Sequence, residues 1–284
     1  MGHHYVPQKY LEGFADPEIP GMIWMHDKKL CLFKHVSIKT SAEEAKYYSE
    51  LNESQLSEKI EGPANQVLQK LRSGYGIDKN DRTCLVLYIG TMLMRGPRRR
   101  RKAYQILPKI RENVFDNFSS RLNQWAKKTS ADPELVSRRF NEFEQVKKKF
   151  REKPPGKIEK QIRDPWPYEK MLDKISAMTW RIVCAEGDEF FITSDNPVCF
   201  FEESGLGKPQ SELTFALASN LMLFASWQGA HHETIFTKAT SAKKKEANRR
   251  IANGAERFVF CQAPEAWVAH IANKKKPKLN PIHW

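Results

Sequence analysis

Two histidines stand side by side near the start of the chain, in His3-His4-Tyr5-Val6-Pro7-Gln8. Far downstream, a carboxylate and an amide adjoin in Phe191-Ile192-Thr193-Ser194-Asp195-Asn196-Pro197-Val198. Histidine titrates near neutral pH and ligates metals, so it suits either proton transfer or metal binding. On an extended chain adjacent side chains point to opposite faces. One imidazole could therefore act while the other holds structure. Asp195 ends an apolar run, where a rigid element would fix its carboxylate. The same residues also suit an Asx turn, with Pro197 setting the next φ. Glu61 precedes Gly62-Pro63, a helix break that could aim it apart from its neighbours. Arg95 closes an apolar helical stretch and suits a carboxylate or phosphate partner. Together, histidine, carboxylate and arginine could activate water and neutralise a phosphodiester transition state. In that scheme His4, Asp195 and Glu61 are the expected ligands of Mg²⁺ or Mn²⁺. His3 is the companion candidate base, Arg95 steadies the phosphate, and Asn196 and Gln8 are the expected cofactor-binding residues. A shared metal requires an imidazole of His3 or His4 to lie within about 12 Å of the Asp195 carboxylate.

Other motifs say less. HHxxP occurs in nucleases of the HNH type, but there it follows a strand, and almost no chain precedes it here. His231-His232-Glu233 reads as an exposed polar turn. Trp166, Trp180, Trp227 and Phe200-Phe201 could stack on bases, although aromatics at such density usually form core. The chain has no GxGxxG and no GxxxxGK[ST], which argues against a dinucleotide or P-loop enzyme. Its five cysteines, Cys31, Cys84, Cys184, Cys199 and Cys261, form no CxxC pair, and four of them sit in apolar runs as small core residues.

The net charge of +13 favours an anionic partner. Basic residues cluster at Arg95 to Lys102, Lys147 to Lys149, Lys243 to Lys245 and Lys274 to Lys276. Several separate points could thus meet a phosphate backbone. No apolar run reaches the length of a membrane span, and no signal peptide is evident, so a cytoplasmic protein without membrane contact is expected.

These residues need elements to position them. Tyr5, Val6, Tyr10, Leu11 and Phe14 form a segment built for burial. Met22–Met25 and Leu30–Phe33 around a polar turn predict a β-hairpin. Ala42 to Tyr48 reads as a short helix or turn. Leu56, Ile60, Ala64, Val67, Leu68 and Leu71 have helical spacing, with a kink or split expected at Gly62-Pro63. A buried helix over 81–95 is capped by Asp78 or Asn80. A basic helix over 98–128 follows, and another runs from Asp132-Pro133 to Glu152. Pro154-Pro155-Gly156 and Asp164-Pro165-Trp166-Pro167 break the chain before a short helix over 168–178. The pattern then turns to strands at 179–185, 189–193, 198–201, 213–217 and 221–225, with turns short enough for antiparallel pairing. A helix over 240–253, a strand over 257–261 and a last helix over 264–271 complete the chain. The expected architecture is a single α+β domain over 1–284. It has an extended or hairpin region over 1–50, a helical middle over 51–178 and a mainly antiparallel sheet over 179–284.

The two end motifs, with Tyr10-Leu11, Phe14, Glu61 and Arg95, resemble a bacterial family catalogued as domain of unknown function 4238. The resemblance covers most of the chain and places Asn248 and Arg257-Phe258-Val259-Phe260 in the family's closing helix and strand. Lys9 stands where the family usually has an aromatic residue. The family carries no assigned reaction. From the residues themselves, the leading expectation is a metal-dependent phosphodiesterase, a nuclease acting on DNA or RNA, of a kind suited to phage defence or toxicity. The alternatives are a non-catalytic nucleic-acid-binding protein, with the same residues in a structural network, and an enzyme acting on a small nucleotide.

Overall fold

A computed structural model describes residues 2–152, 156–164, 166–229, 235–274 and 280–282. The chain forms two compact units, Met1–Arg99 with Trp166–Trp284, and Arg100–Pro165.

In the first unit β1 (Gly2–His4) leads into α1 (Gln8–Leu11), and the hairpin strands β2 (Met22–Asp27) and β3 (Leu32–Ser37) follow. β4 (Glu43–Ala45) pairs with β1. That pairing corrects the helix or turn expected over Ala42 to Tyr48. Then come α2 (Glu50–Leu56), α3 (Gly62–Arg72) and α4 (Lys79–Arg95). Asp78 caps α4 in a reciprocal capping box with Asp81, which satisfies two otherwise orphaned N–H groups. The expected interruption falls just before Gly62-Pro63. A π turn over Ser57–Glu61 joins α2 to α3, with the Gly62 N–H bonded to the Ser57 carbonyl. Proline lacks an N–H for the ordinary ladder, and the wider turn carries the helix past Pro63. Such turns recur at functional sites.

α5 (Pro97–Thr129) begins in the first unit and continues into the second, where α6 (Pro133–Glu152) and α7 (Gly156–Arg163) follow. Inside the second unit Phe115 meets Phe143 and Phe150 edge-on, and Arg151 pairs with Glu112 at 2.6 Å.

Back in the first unit are α8 (Glu169–Ala177), β5 (Thr179–Cys184), β6 (Thr193–Ser194), β7 (Val198–Phe200), β8 (Glu212–Ala218), β9 (Leu221–Ser226), β10 (Ile235–Lys238), α9 (Ser241–Gly254), β11 (Phe258–Cys261) and α10 (Ala266–Asn273). The larger sheet has order β10-β5-β9-β8-β7. β8 and β9 are buried at every position, including the polar Glu212, Thr214 and Ser226, as their mainly apolar sequences lead one to expect. β10 pairs parallel to β5, an element the sequence reading missed. The second sheet, β3-β2-β11-β6, joins the N-terminal hairpin to strands from the chain's far end. Of the strand expected over 189–193 only its end survives, as β6. The Asn248 side chain donates to the Phe190 carbonyl at 2.8 Å and accepts from the Ile192 N–H at 3.0 Å. An amide thus stands in for a neighbouring strand and satisfies the backbone there. The expected turns at His231-His232-Glu233 and Pro154-Pro155, and most of the basic tail after Lys274, lie outside the described residues. Among the described residues no helix is long and apolar enough to cross a membrane.

Candidate functional site

The N-terminal motif is seated from below. Tyr10, fully buried, donates its hydroxyl hydrogen to the Ala216 carbonyl at 2.7 Å and stacks on Phe215. Arg72 donates to the carbonyls of Tyr10 and Leu217. With α1 so anchored and β4 paired alongside, β1 is held in place.

Along β1 the two imidazoles face different surroundings. His3 is buried; its Nδ1 accepts the Tyr48 backbone N–H at 3.0 Å, and the ring stacks parallel to that of Tyr48. That bond leaves the neutral ring's proton on Nε2. His4 shares a hydrogen bond of 3.0 Å between Nε2 and the Lys39 carbonyl. Because a carbonyl only accepts, Nε2 is the donor, and Nδ1 is left to accept from the Gln8 amide at 3.4 Å. His4 and Gln8 therefore tie β1 to α1 and to the segment before β4.

Arg95 sits at the centre of the next layer. Its side chain is only 2% exposed. Nε donates to the Tyr5 carbonyl at 3.0 Å, one terminal nitrogen donates to the His4 carbonyl, and the other donates to Glu61 at 2.5 Å. The Arg95 carbonyl in turn accepts from the hydroxyls of Tyr47 and Tyr48. Burial lowers the proton affinity of this guanidinium, while Tyr48 and Glu61 raise it, and the net shift is upward. Arg95 stays charged and clamps β1 to the helices.

Asp195 forms a second centre. It is almost fully buried, and its oxygens accept four donors: Glu256 N at 2.7 Å, Arg257 N at 2.7 Å, Phe258 N at 2.9 Å and Asn196 Nδ2 at 3.2 Å. Burial pushes this carboxyl up to about 6, against the opposing pull of the three backbone N–H groups. Asn196 Oδ1 accepts the Arg98 N–H at 3.3 Å and so caps the start of α5 from another segment. A Cβ at position 96 would collide with that amide, so glycine is required there. The expected Asx turn at Ser194 to Pro197 is instead closed by the Ser194 hydroxyl, which accepts the Asn196 N–H at 3.2 Å, and Asp195 and Asn196 are left to hold the entry to β11 and the start of α5.

The structure gathers His3, His4, Glu61 and Arg95 into one cluster and sets Asp195 and Asn196 in another. Tyr5 lies between the two. Its carbonyl holds Arg95, and its phenol is raised by burial first and then by the Asp195 charge. No hydrogen bond or ion pair among the described residues joins Asp195 to either imidazole. Nor is there among them any group of three His, Cys, Asp or Glu side chains that could hold a metal ion. The expected set His4, Glu61 and Asp195 therefore does not fit Mg²⁺ or Mn²⁺: four donors fill the Asp195 oxygens, and Glu61 is paired to Arg95.

The sequence reading missed residues that complete the first cluster. The Glu53 carboxyl is raised by burial, lowered by Arg95, raised again by Glu61 and lowered by His3 and His4. Tyr48 and Tyr88 are likewise pushed well up, mainly by burial. Glu53, Glu61 and Asn65 stand among the apolar residues of α2, the π turn and α3 at intervals of eight and four. That spacing is the signal that could have singled out Glu53. The cysteines are all free, and burial pushes the Cys199 and Cys261 thiols up to about 12, as suits inert core residues.

Fold and site together define an α+β protein whose N-terminal strand is clamped by a buried arginine onto a mixed helical and sheet core. A family model described as "Protein of unknown function (DUF4238)" matches residues 2–264, and the chain belongs to that family. No curated protein matches the chain, and no solved structure does.

Proposed function

We propose that this protein binds nucleic acid through the helical unit Arg100–Pro165, and that it prefers single strands. The carrying observation is charge asymmetry: residues 100–165 hold 18 Lys and Arg against nine Asp and Glu, a net +9 of the chain's +13. The same unit presents aromatic rings on α5, with Tyr104, Phe118 and Trp125 at 43%, 50% and 36% exposure. Basic side chains follow a phosphate backbone, and exposed rings offer faces on which unpaired bases stack. In this reading His3, His4, Gln8, Arg95, Asp195 and Asn196 hold the fold. Their committed hydrogen bonds favour that role over contact with a phosphate.

The test is fluorescence anisotropy with labelled single- and double-stranded DNA and RNA across a salt series. Affinity should fall with salt, by about 0.7 in log K per log unit for each phosphate neutralised on a single strand. Charge reversal at Lys127 and Lys128 should flatten that slope. Absence of binding at about 100 μM protein in low salt, or binding indifferent to salt, would refute it. Incubation with Mg²⁺ or Mn²⁺ runs alongside. Metal-dependent cleavage lost in a folded Asp195→Ala variant would replace the structural role of that residue with a catalytic one.

A further inference from the structure

A short stretch near the far end of the chain, Asn280–Ile282, is seated on three charged groups: Glu212 at the start of β8, and Glu246 and Arg250 on α9. Arg250 donates to Glu212 at 2.6 Å and lies over the Phe201 ring, 4.8 Å from its centroid. Glu212 accepts the Ile282 N–H on both oxygens, at 3.2 and 3.0 Å. Glu246 accepts the Asn280 N–H at 3.1 Å, and Arg250 donates to the Asn280 carbonyl. All of these contacts to the stretch go to its backbone. Pro281 falls between the two bonded N–H groups, where the site asks for no donor and proline has none to leave unmet. Asn280 and Pro281 are exposed, and only the Ile282 side chain is buried.

We propose that Glu212, Glu246 and Arg250 form a binding site for an extended peptide of the pattern residue, proline, aliphatic. Asn280–Ile282 fills it in cis, and a peptide in trans can displace that stretch. Bonds to alternate residues of an extended backbone, with a pocket for one side chain, are how peptides of this kind are held. The charges point the same way. Arg249 pairs with Glu246 at 2.7 Å, so two carboxylates meet two guanidiniums. A balanced set suits the uncharged dipoles of a peptide rather than a free ion. The Arg250 side chain is 1% exposed, yet its Nη1 has no partner with Asn280–Ile282 in place. A buried donor left unmet costs free energy, so the chain's own stretch is an imperfect occupant and open to exchange. The site lies in the first compact unit and does not depend on the nucleic-acid reading.

The experiment follows the anisotropy of a labelled peptide with the sequence of residues 278–284, titrated with the full chain and with full-length Ile282→Asp. The variant puts a charge where the site takes an aliphatic group and so vacates it. The peptide should bind Ile282→Asp saturably. It should bind the parent more weakly by about ten-fold or more, because the parent's own stretch competes. The peptide that itself carries Ile282→Asp should bind neither. Adding Glu212→Gln to the variant should weaken binding by about ten-fold or more, and adding Glu43→Gln, on the exposed strand β4, should leave it unchanged. If Ile282→Asp does not fold, Ile282→Ala takes its place with the same ordering expected. If the Glu212→Gln double variant does not fold, the pair of peptides decides. A folded variant that binds no peptide, equal affinity of parent and variant, equal binding of the two peptides, or binding undiminished by Glu212→Gln would each overturn the proposal.

Discussion

Replacing Arg95 by methionine keeps the length and apolar stem of the side chain and removes only the guanidinium. Three groups then lose their donor: the Glu61 carboxylate and the carbonyls of His4 and Tyr5. Breaking a buried ion pair by removing one partner costs about 3–5 kcal/mol. Glu61 is part-exposed and can recover water, which places its share at the low end. Each orphaned carbonyl adds about 1 kcal/mol or more. The sum is about 5 kcal/mol, a large part of the roughly 5–15 kcal/mol that holds a typical domain together. Urea denaturation followed by tryptophan fluorescence reads it directly. The double variant Arg95→Met/Glu61→Met removes the stranded carboxylate as well. It should be destabilised by about 2 kcal/mol less than the two single changes sum to. A loss below about 1 kcal/mol in Arg95→Met would refute the clamp, because a guanidinium that holds nothing in the fold is free to hold something else.

Two further outcomes follow from the same geometry. The Asp195 carboxyl sits near 6 in the folded protein and near 3.8 without burial, so the folded state holds the proton more tightly. The stabilisation is full below about pH 4 and is lost as pH rises through about 6, by roughly 3 kcal/mol. Urea midpoints across that window should fall with rising pH in the parent and lose that slope in Asp195→Asn; a midpoint that rises would reverse the sign and sink the assignment. Trp125→Ala should weaken single-strand binding by about 1–3 kcal/mol and leave duplex binding nearly unchanged. Equal loss on both substrates in the anisotropy assay would remove stacking from the binding mode.

Much of the helical framework is legible in the sequence because its signals are local. The Asp78 cap, the apolar run of α4 and the Pro133 start of α6 each declare themselves within one turn of chain. The second sheet is not local. β11 pairs with β2 across more than half the chain and with β6 across a long intervening segment, and no pattern within a single strand specifies its neighbour. The missed strands show the same limit. β1 and β4 are three residues each, too short for alternation to register, and β10 gains its place through parallel pairing with β5. The overturned strand at 189–193 failed for another reason. Phe190, Phe191 and Ile192 carry strand-like side chains, but the Asn248 amide supplies the backbone partner that a strand would have supplied.

The chemistry was read from residue types, and type alone does not distinguish a poised group from a committed one. Asp195 has the composition of a ligand or base, yet four donors saturate it, and the backbone of 256–258 depends on it. Arg95 has the composition of a phosphate clamp, yet it spends its donors on the His4 and Tyr5 carbonyls and on Glu61. Committed groups of this kind explain why two motifs nearly two hundred residues apart occur together. One seats the first strand, the other seats the last, and Tyr5 bridges them. Uncommitted groups are a better guide to chemistry than conspicuous ones. The imidazoles' hydrogen bonds to Tyr48, Lys39 and Gln8 commit both rings to holding β1 against its neighbours.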